Sequence, residues 1–174
     1  MSQTNELEIM ERIALDLEGV EESLASSFNT GAEDFNALIR PLSAAGGKRL
    51  RAQLCLLIAN AGTSIERQRI KIAEAVEMLH LATLIHDDVL DQAEIRRGED
   101  TIHMHKGNKV AILSGDYLFA KAFKIVSEMT NMKYLQVFSH IITCLVEGEF
   151  MQMEDVYRID QGIERYMTKT QKKT

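Results

Sequence analysis

The sequence has one proline and two cysteines in 174 residues. With so little to interrupt a helix, and with apolar residues at helical spacing almost throughout, it reads as all-α and as a single domain with a substantial core. Cys55 and Cys144 both lie in apolar helical surroundings, which speaks against a disulfide framework and for buried free thiols. Excess positive charge is missing too. The net charge is −6 and no helix carries a basic face, which argues against a nucleic-acid binder despite short basic runs. Nor is there a long apolar run: the stretch from Leu54 to Ala59 falls far short of the about 20 residues that cross a bilayer. The N-terminal segment is acidic, unlike a signal peptide, and the cytoplasm is the expected compartment. Internal repeats and low-complexity segments are absent.

What is present centres on residues 80–98, HLATLIHDDVLDQAEIRRG. A rotation of about 100° per residue puts Asp87 and Asp91 on one helix face, a turn apart. Like charges at that spacing destabilise a bare helix by roughly a few tenths of a kcal/mol, so three acids after an apolar run, Asp87, Asp88 and Asp91, point to a cation among them. Oxygen-only ligands favour Mg²⁺ over zinc. Mg²⁺ usually takes one or two carboxylates and completes its octahedron with water and phosphate oxygens, so a phosphate ester is the natural third party. Arg96 and Arg97 follow with guanidinium forks that match phosphate, and Gly98 permits a sharp turn just beyond. The competing reading is a solvated acidic helix end with a basic cap.

Upstream, residues 5–28 carry Leu7, Met10, Ala14, Leu17 and Leu24 near helical period, with acids on the other face. Gly31 interrupts this helix, and residues 32–45 form a second one that Pro41 should kink or divide. Gly46 and Gly47 give a stop signal, followed by Lys48, Arg49 and Arg51 in GGKRLRAQLCLLIANAG, whose apolar remainder should bury as a helix until Gly62. Cations at a helix start oppose the dipole, and an anion approached by all of them and by the free backbone N–H groups would explain their placement. A solvated basic turn is the alternative.

The longest helix is expected over residues 65–92, with Val76, His80, Thr83 and Leu84 on the side that bears Asp87 and Asp91, so that carboxylates crown an apolar groove. His80 is either a satisfied core histidine or a phosphate donor. Downstream, His103 and His105 near Asp100 make a poor tetrahedral zinc set. In GNKVAILSGDYLFAKAFKIV, Gly115 takes a close-packed helical position and Asp116 interrupts the apolar stripe, bonded to a loop or facing the site. A helix over residues 132–153 contains EGEFMQM, where Glu149 and Gln152 share a face, toward a cavity or toward solvent. A last helix begins at Gly162 and runs to Lys173 and Thr174.

Taken together, GGKRLR, His80, DDVLD, RRG, GNKVAILSGDYLFAKA and GEFMQ, in this order and spacing, resemble the trans-isoprenyl diphosphate synthases of the polyprenyl synthetase family. The resemblance runs from about Phe35 to the last residue and matches the first half of a family member. It implies an isoprenoid synthase fold, helices around a deep apolar cavity. It also implies Mg²⁺-dependent head-to-tail condensation of an allylic diphosphate with isopentenyl diphosphate, in a homodimer or a pair of unlike subunits. By position, Asp87 and Asp91 would hold Mg²⁺ with Asp88 in support, these three being the catalytic acids. Lys48, Arg51, His80 and Arg97 would bind isopentenyl diphosphate, and Arg96, Lys173 and Thr174 the allylic diphosphate, with Arg49 and Gln152 supporting. Ala82 and Thr83, small and just below the metal site, imply room for a product of geranylgeranyl length or longer. One departure is Glu99-Asp100 before Thr101, where the family commonly has a proline. The family's second aspartate-rich motif would fall beyond these residues. The expectation is therefore a synthase fragment, inactive alone, with Val76 and Leu84 exposed on an uncovered apolar face. The alternatives are a non-catalytic partner subunit of a heteromeric synthase, or a helical phosphate-binding module.

Overall fold

The scarcity of helix breakers is realised as eight helices and one short hairpin in the computed structural model, which describes residues 3–28, 33–44, 47–62 and 66–173. Gly31, Gly46, Ile65 and Thr174 lie outside the described residues. In chain order the elements are α1 (Gln3–Ser27), α2 (Glu33–Ala44), α3 (Leu50–Asn60), α4 (Glu66–Leu90), β1 (Ile95–Arg96), β2 (Glu99–Asp100), α5 (Ile102–Lys106), α6 (Asn108–Ser127), α7 (Met132–Glu154) and α8 (Ile163–Lys173). The all-α expectation holds. Where the sequence reads as one domain, the chain divides into two compact units, Met1–Glu128 and Met129–Thr174. Among the described residues no helix is long and apolar enough to cross a membrane.

In the first unit α4 is the central element, packed against α1, α3 and α6. Met78, Ala82 and Ile85 of α4, Val20 and Leu24 of α1, Phe28 just after it, and Leu118, Ala122 and Val126 of α6 are all buried. Each large aliphatic among them stabilises the fold by roughly 1.5–3 kcal/mol. The α1 stripe differs from the one expected. Ile13, Asp16, Val20 and Leu24 face inward while Met10 and Ala14 are exposed, because a buried acid occupies a position read as outward-facing. Asp16 is taken up by Arg69, whose Nε and Nη2 donate to its carboxylate at 2.6 and 2.9 Å. Burial works to raise the Asp16 pKa, and the bonds from Arg69 and Asn60 outweigh it and hold the group below the usual carboxylate value. Two and three turns further along α1, Ser23 and Ser27 each donate at 2.7 Å to Glu74, a fully buried carboxylate. A polar seam thus joins α1 to α4 and fixes their register.

Pro41 does not divide α2, which continues to Ala44. The ring removes one hydrogen bond to the preceding turn without dividing the helix. The expectation that α3 buries its apolar residues holds only for Ala52 and Leu56, since Leu50, Leu54, Leu57 and Ile58 are exposed. Both cysteines are free, and half-buried rather than buried. Gly115 is a close-packed position as expected: a Cβ there would overlap the His86 imidazole. His86 donates from Nε2 to the Ile112 carbonyl at 3.1 Å and tilts against Phe119. Asp116 lies 3.5 Å from the same nitrogen and is 60% exposed, so it stands outside the apolar stripe that the sequence suggested.

In the second unit α8 is laid against α7 by charge. Arg165 donates to Asp155 at 2.6 Å and to Glu154 at 2.9 Å, Lys169 donates to Asp155 at 3.0 Å, and Lys172 pairs with Glu147. Burial of Asp155 raises its pKa, and the two cations beside it more than reverse the effect, leaving it lowered. Gly148 makes the approach possible, because a Cβ there would stand 2.9 Å from Lys173 Cγ. Glu149 and Gln152 are half-buried. Both accept from Lys173 Nζ, at 2.6 and 2.7 Å.

Candidate active site

The site grows from the last three turns of α4 and from the turns that α3 and the hairpin bring to it. Asp87 is half-buried and Asp91 exposed, and the Asp91 amide donates to the Asp87 carbonyl at 2.8 Å, so the two carboxylates keep their one-turn spacing. No basic residue stands in the last turn of α4. The partial negative charge of the helix end therefore adds to theirs. Asp88 behaves differently. It is buried and accepts from Arg96 Nε and Nη2, each at 2.7 Å, which ties α4 to β1. The same bond is the first cause of the raised pKa of Arg96. Among the described residues no three His, Cys, Asp or Glu side chains converge on one point. Asp87 and Asp91, oxygen donors at a negative helix end, fit Mg²⁺ completed by phosphate oxygens, which asks the protein for only one or two carboxylates.

The hairpin follows from its two central residues. Arg97 and Gly98 have φ of 56° and 86°, the left-handed pair of a two-residue turn, with Arg96 opposite Glu99. Glu99 and Asp100, the departure noted in the sequence, form β2. Thr101 Oγ1 and His103 Nε2 both donate to the Ala93 carbonyl at 2.8 Å, which anchors the loop. His105 lies instead 3.8 Å from Asp100, so the two histidines do not share a centre and the zinc arrangement is not formed. The turn directs Arg97 toward Gly47, where a Cβ would stand 3.2 Å from its Nη2.

Arg97 and Gly47 there close one side of a pocket of about 220 Å³, lined also by Lys48, Arg51, His80, Leu81 and Leu84. Arg51 Nη1 lies 3.3 Å from His80 Nε2, and since a guanidinium only donates, the imidazole accepts. Burial, then the charges of Arg51, Arg97, Arg96 and Arg49, push the His80 pKa down to about 4, which keeps it neutral at physiological pH. His80, read as a core histidine or a phosphate donor, lines the pocket and accepts from Arg51 there.

Arg49 is buried and faces the protein. Its Nε and Nη2 donate to Glu21 at 2.6 and 3.1 Å, and Nη1 lies 3.6 Å from Glu77. The anion that offsets this cation belongs to the chain itself. Glu77 and Glu21 were not singled out by the sequence, and the available signal was an acid one turn before His80 between the apolar neighbours Val76 and Met78. Of the two small residues, Ala82 is fully buried in the core, whereas Thr83 is half-buried one turn below Asp87 and donates to the His80 carbonyl at 2.8 Å. Val76 and Leu84, expected to be exposed, are half-buried. Lys173 and Gln152 are bonded to each other within the second unit, and Thr174 is outside the described residues.

Comparison with known proteins gives the chain a family. The polyprenyl synthetase family profile matches residues 32–174. Component 2 of the heptaprenyl diphosphate synthase of Geobacillus stearothermophilus is 38% identical over 160 residues, covering 91% of this chain and 50% of its own. Octaprenyl diphosphate synthase of Escherichia coli K12 is 33% identical over 166 residues, covering 95% and 51%. A polyprenyl synthase from Caulobacter crescentus CB15, solved in complex with calcium and isoprenyl diphosphate, superposes with a TM-score of 0.89 at 34% identity, over 95% of this chain and 51% of that one. The chain thus spans about half the length of the relatives it matches. The chain has the isoprenoid synthase fold and belongs to the polyprenyl synthetase family.

Proposed function

We propose that this chain carries the substrate-binding half of a Mg²⁺-dependent trans-prenyltransferase, which joins an allylic diphosphate to isopentenyl diphosphate and makes a polyprenyl diphosphate of geranylgeranyl length or longer. The observation that carries the reading is the division of charge along α4: a pocket of cations beside His80, and two carboxylates two to three turns further on at the helix end. Lys48, Arg51 and Arg97 bind the diphosphate of isopentenyl diphosphate, with His80 holding Arg51 in place. Asp87 and Asp91 are the residues that would hold Mg²⁺, and Mg²⁺ when bound neutralises the allylic diphosphate so that it can leave. Arg96 lies between these groups and adds a guanidinium to the allylic side, held by Asp88. Once the allylic C–O bond breaks, the double bond of isopentenyl diphosphate attacks the cation and a proton is lost from the adduct. Leu81 and Leu84 keep the approach apolar, and Thr83 leaves room for the growing tail.

The metal and the diphosphate in the crystal complex of the Caulobacter relative support this assignment, as does the likeness to synthases named for heptaprenyl and octaprenyl products. One relative is a named component of its enzyme. By that likeness a second polypeptide, identical or not, belongs to the active assembly, and the cytoplasm is its proposed site. Calorimetry of the chain with each substrate tests the reading. Isopentenyl diphosphate should bind without metal and lose affinity in Lys48→Ala. An allylic diphosphate should need Mg²⁺ to bind, and that Mg²⁺-dependent binding should be lost in Asp87→Ala and Asp91→Ala. Absence of binding by either substrate refutes it.

A further inference from the structure

The turn that carries Lys48 and Arg51 lacks a helix-starting side chain of its own. Arg49 is the N-cap of α3, its side chain makes no capping bond, and no acid stands in the first turn. Its backbone is left-handed, φ 46°, a strained state for a residue with a Cβ. The first-turn amide of Ala52 is nonetheless satisfied, for it donates to Glu77 Oε1 at 3.0 Å. That is the bond an N-cap serine or aspartate would accept. The other oxygen of the same carboxylate lies 3.6 Å from Arg49 Nη1, while Glu21 grips the remaining fork. Behind this, Gln53 Nε2 donates to the Lys48 carbonyl at 2.6 Å. A carboxylate leaves water only where hydrogen bonds and charge compensate it, and Glu77 takes both from the turn that faces the pocket.

Glu77 also lines that pocket. A negative charge beside a bound anion works against affinity, so an acid is the wrong residue there if charge were its contribution. We infer that Glu77 is the positioning residue of the diphosphate pocket: from α4 it caps α3 and pins Arg49, and so sets Lys48 and Arg51 against His80 and Arg97. This rests on the diphosphate reading of the pocket.

Two conservative substitutions in the full chain separate position from charge. Glu77→Asp keeps the charge and withdraws the acceptor by one methylene; Glu77→Gln keeps an acceptor in reach and removes the charge. Positioning predicts that Glu77→Asp speeds amide hydrogen exchange at Ala52 and weakens isopentenyl diphosphate binding by about tenfold, the weight of one capping bond. Glu77→Gln then keeps Ala52 protected and binds at least as tightly as the parent. Lys48→Ala, a direct contact, weakens binding and leaves Ala52 exchange unchanged. The opposite order of the two Glu77 variants, or Ala52 exchange unaffected by Glu77→Asp, overturns the inference. A parent chain that binds no isopentenyl diphosphate refutes the reading of the pocket instead, and the exchange experiment still decides whether Glu77 holds the turn.

Discussion

Gly115→Ala puts one methyl group where the His86 imidazole lies. The ring must turn away, which costs its bond to the Ile112 carbonyl, about 1 kcal/mol net. It must also repack between α4 and α6, where overpacking costs about 1–3 kcal/mol. Alanine returns about 1 kcal/mol of helix propensity. The net loss expected is about 1–3 kcal/mol, which for a chain of this size lowers the melting temperature by roughly 3–9 °C. Thermal unfolding followed by circular dichroism, on Gly115→Ala, His86→Ala and the double variant, isolates the cause. With the ring gone the methyl has space, so Gly115→Ala in the His86→Ala background should cost nothing or stabilise slightly through propensity. Equal losses in both backgrounds, or a Gly115→Ala chain as stable as its parent, would refute the claim that His86 is what excludes a side chain at 115.

Arg69→Met leaves the buried Asp16 carboxylate without its fork, and should destabilise the first unit by about 3–5 kcal/mol in urea unfolding, whereas Asp16→Asn with Arg69→Met together should cost less than the single change. His80 gives a pH dependence with a definite sign. Its pKa falls from 6.5 to about 4 on folding, so between these values the unfolded chain takes up a proton that the folded chain does not. Stability from this group is full above pH 6.5 and is lost as pH falls toward 4, and His80→Gln should remove that share of the loss when urea midpoints are compared at pH 7 and 4.5. In the active enzyme, Thr83→Phe should shorten the product because a ring one turn below Asp87 fills space the tail needs; an unchanged product length would remove Thr83 from the cavity.

Most helices were legible because spacing alone reveals them, and α4, α6 and α7 fall within a few residues of the expected ranges. Asp87 and Asp91 were legible for the same reason, since helical geometry guarantees their shared face. What the sequence hid depends on long-range pairing. Asp16 reads as an outward acid until Arg69, on another helix, reaches it. Arg49 reads like its neighbours Lys48 and Arg51, and only the fold separates the buried cation from the two exposed ones. Asp88 reads as a supporting acid beside Asp87 and Asp91, and its partner, which spacing does not reveal, comes from a hairpin eight residues on. The hairpin itself was missed because a two-residue strand carries too few residues for any period to show, although Gly98 marked the turn.

That hairpin has a consequence for how the site can vary. Arg96 and Arg97 are adjacent, yet one reaches back to Asp88 and the other forward to Gly47. Their division of labour is encoded by counting: Ala93 is anchored at one end by Thr101 and His103, and the left-handed pair sits at a fixed distance from it. Substitutions at Glu99 or Asp100, exposed and in the returning strand, leave the count intact. Inserting or deleting one residue between Ala93 and Gly98 would instead offer the wrong arginine to each side, so the segment tolerates changes of residue far better than changes of length.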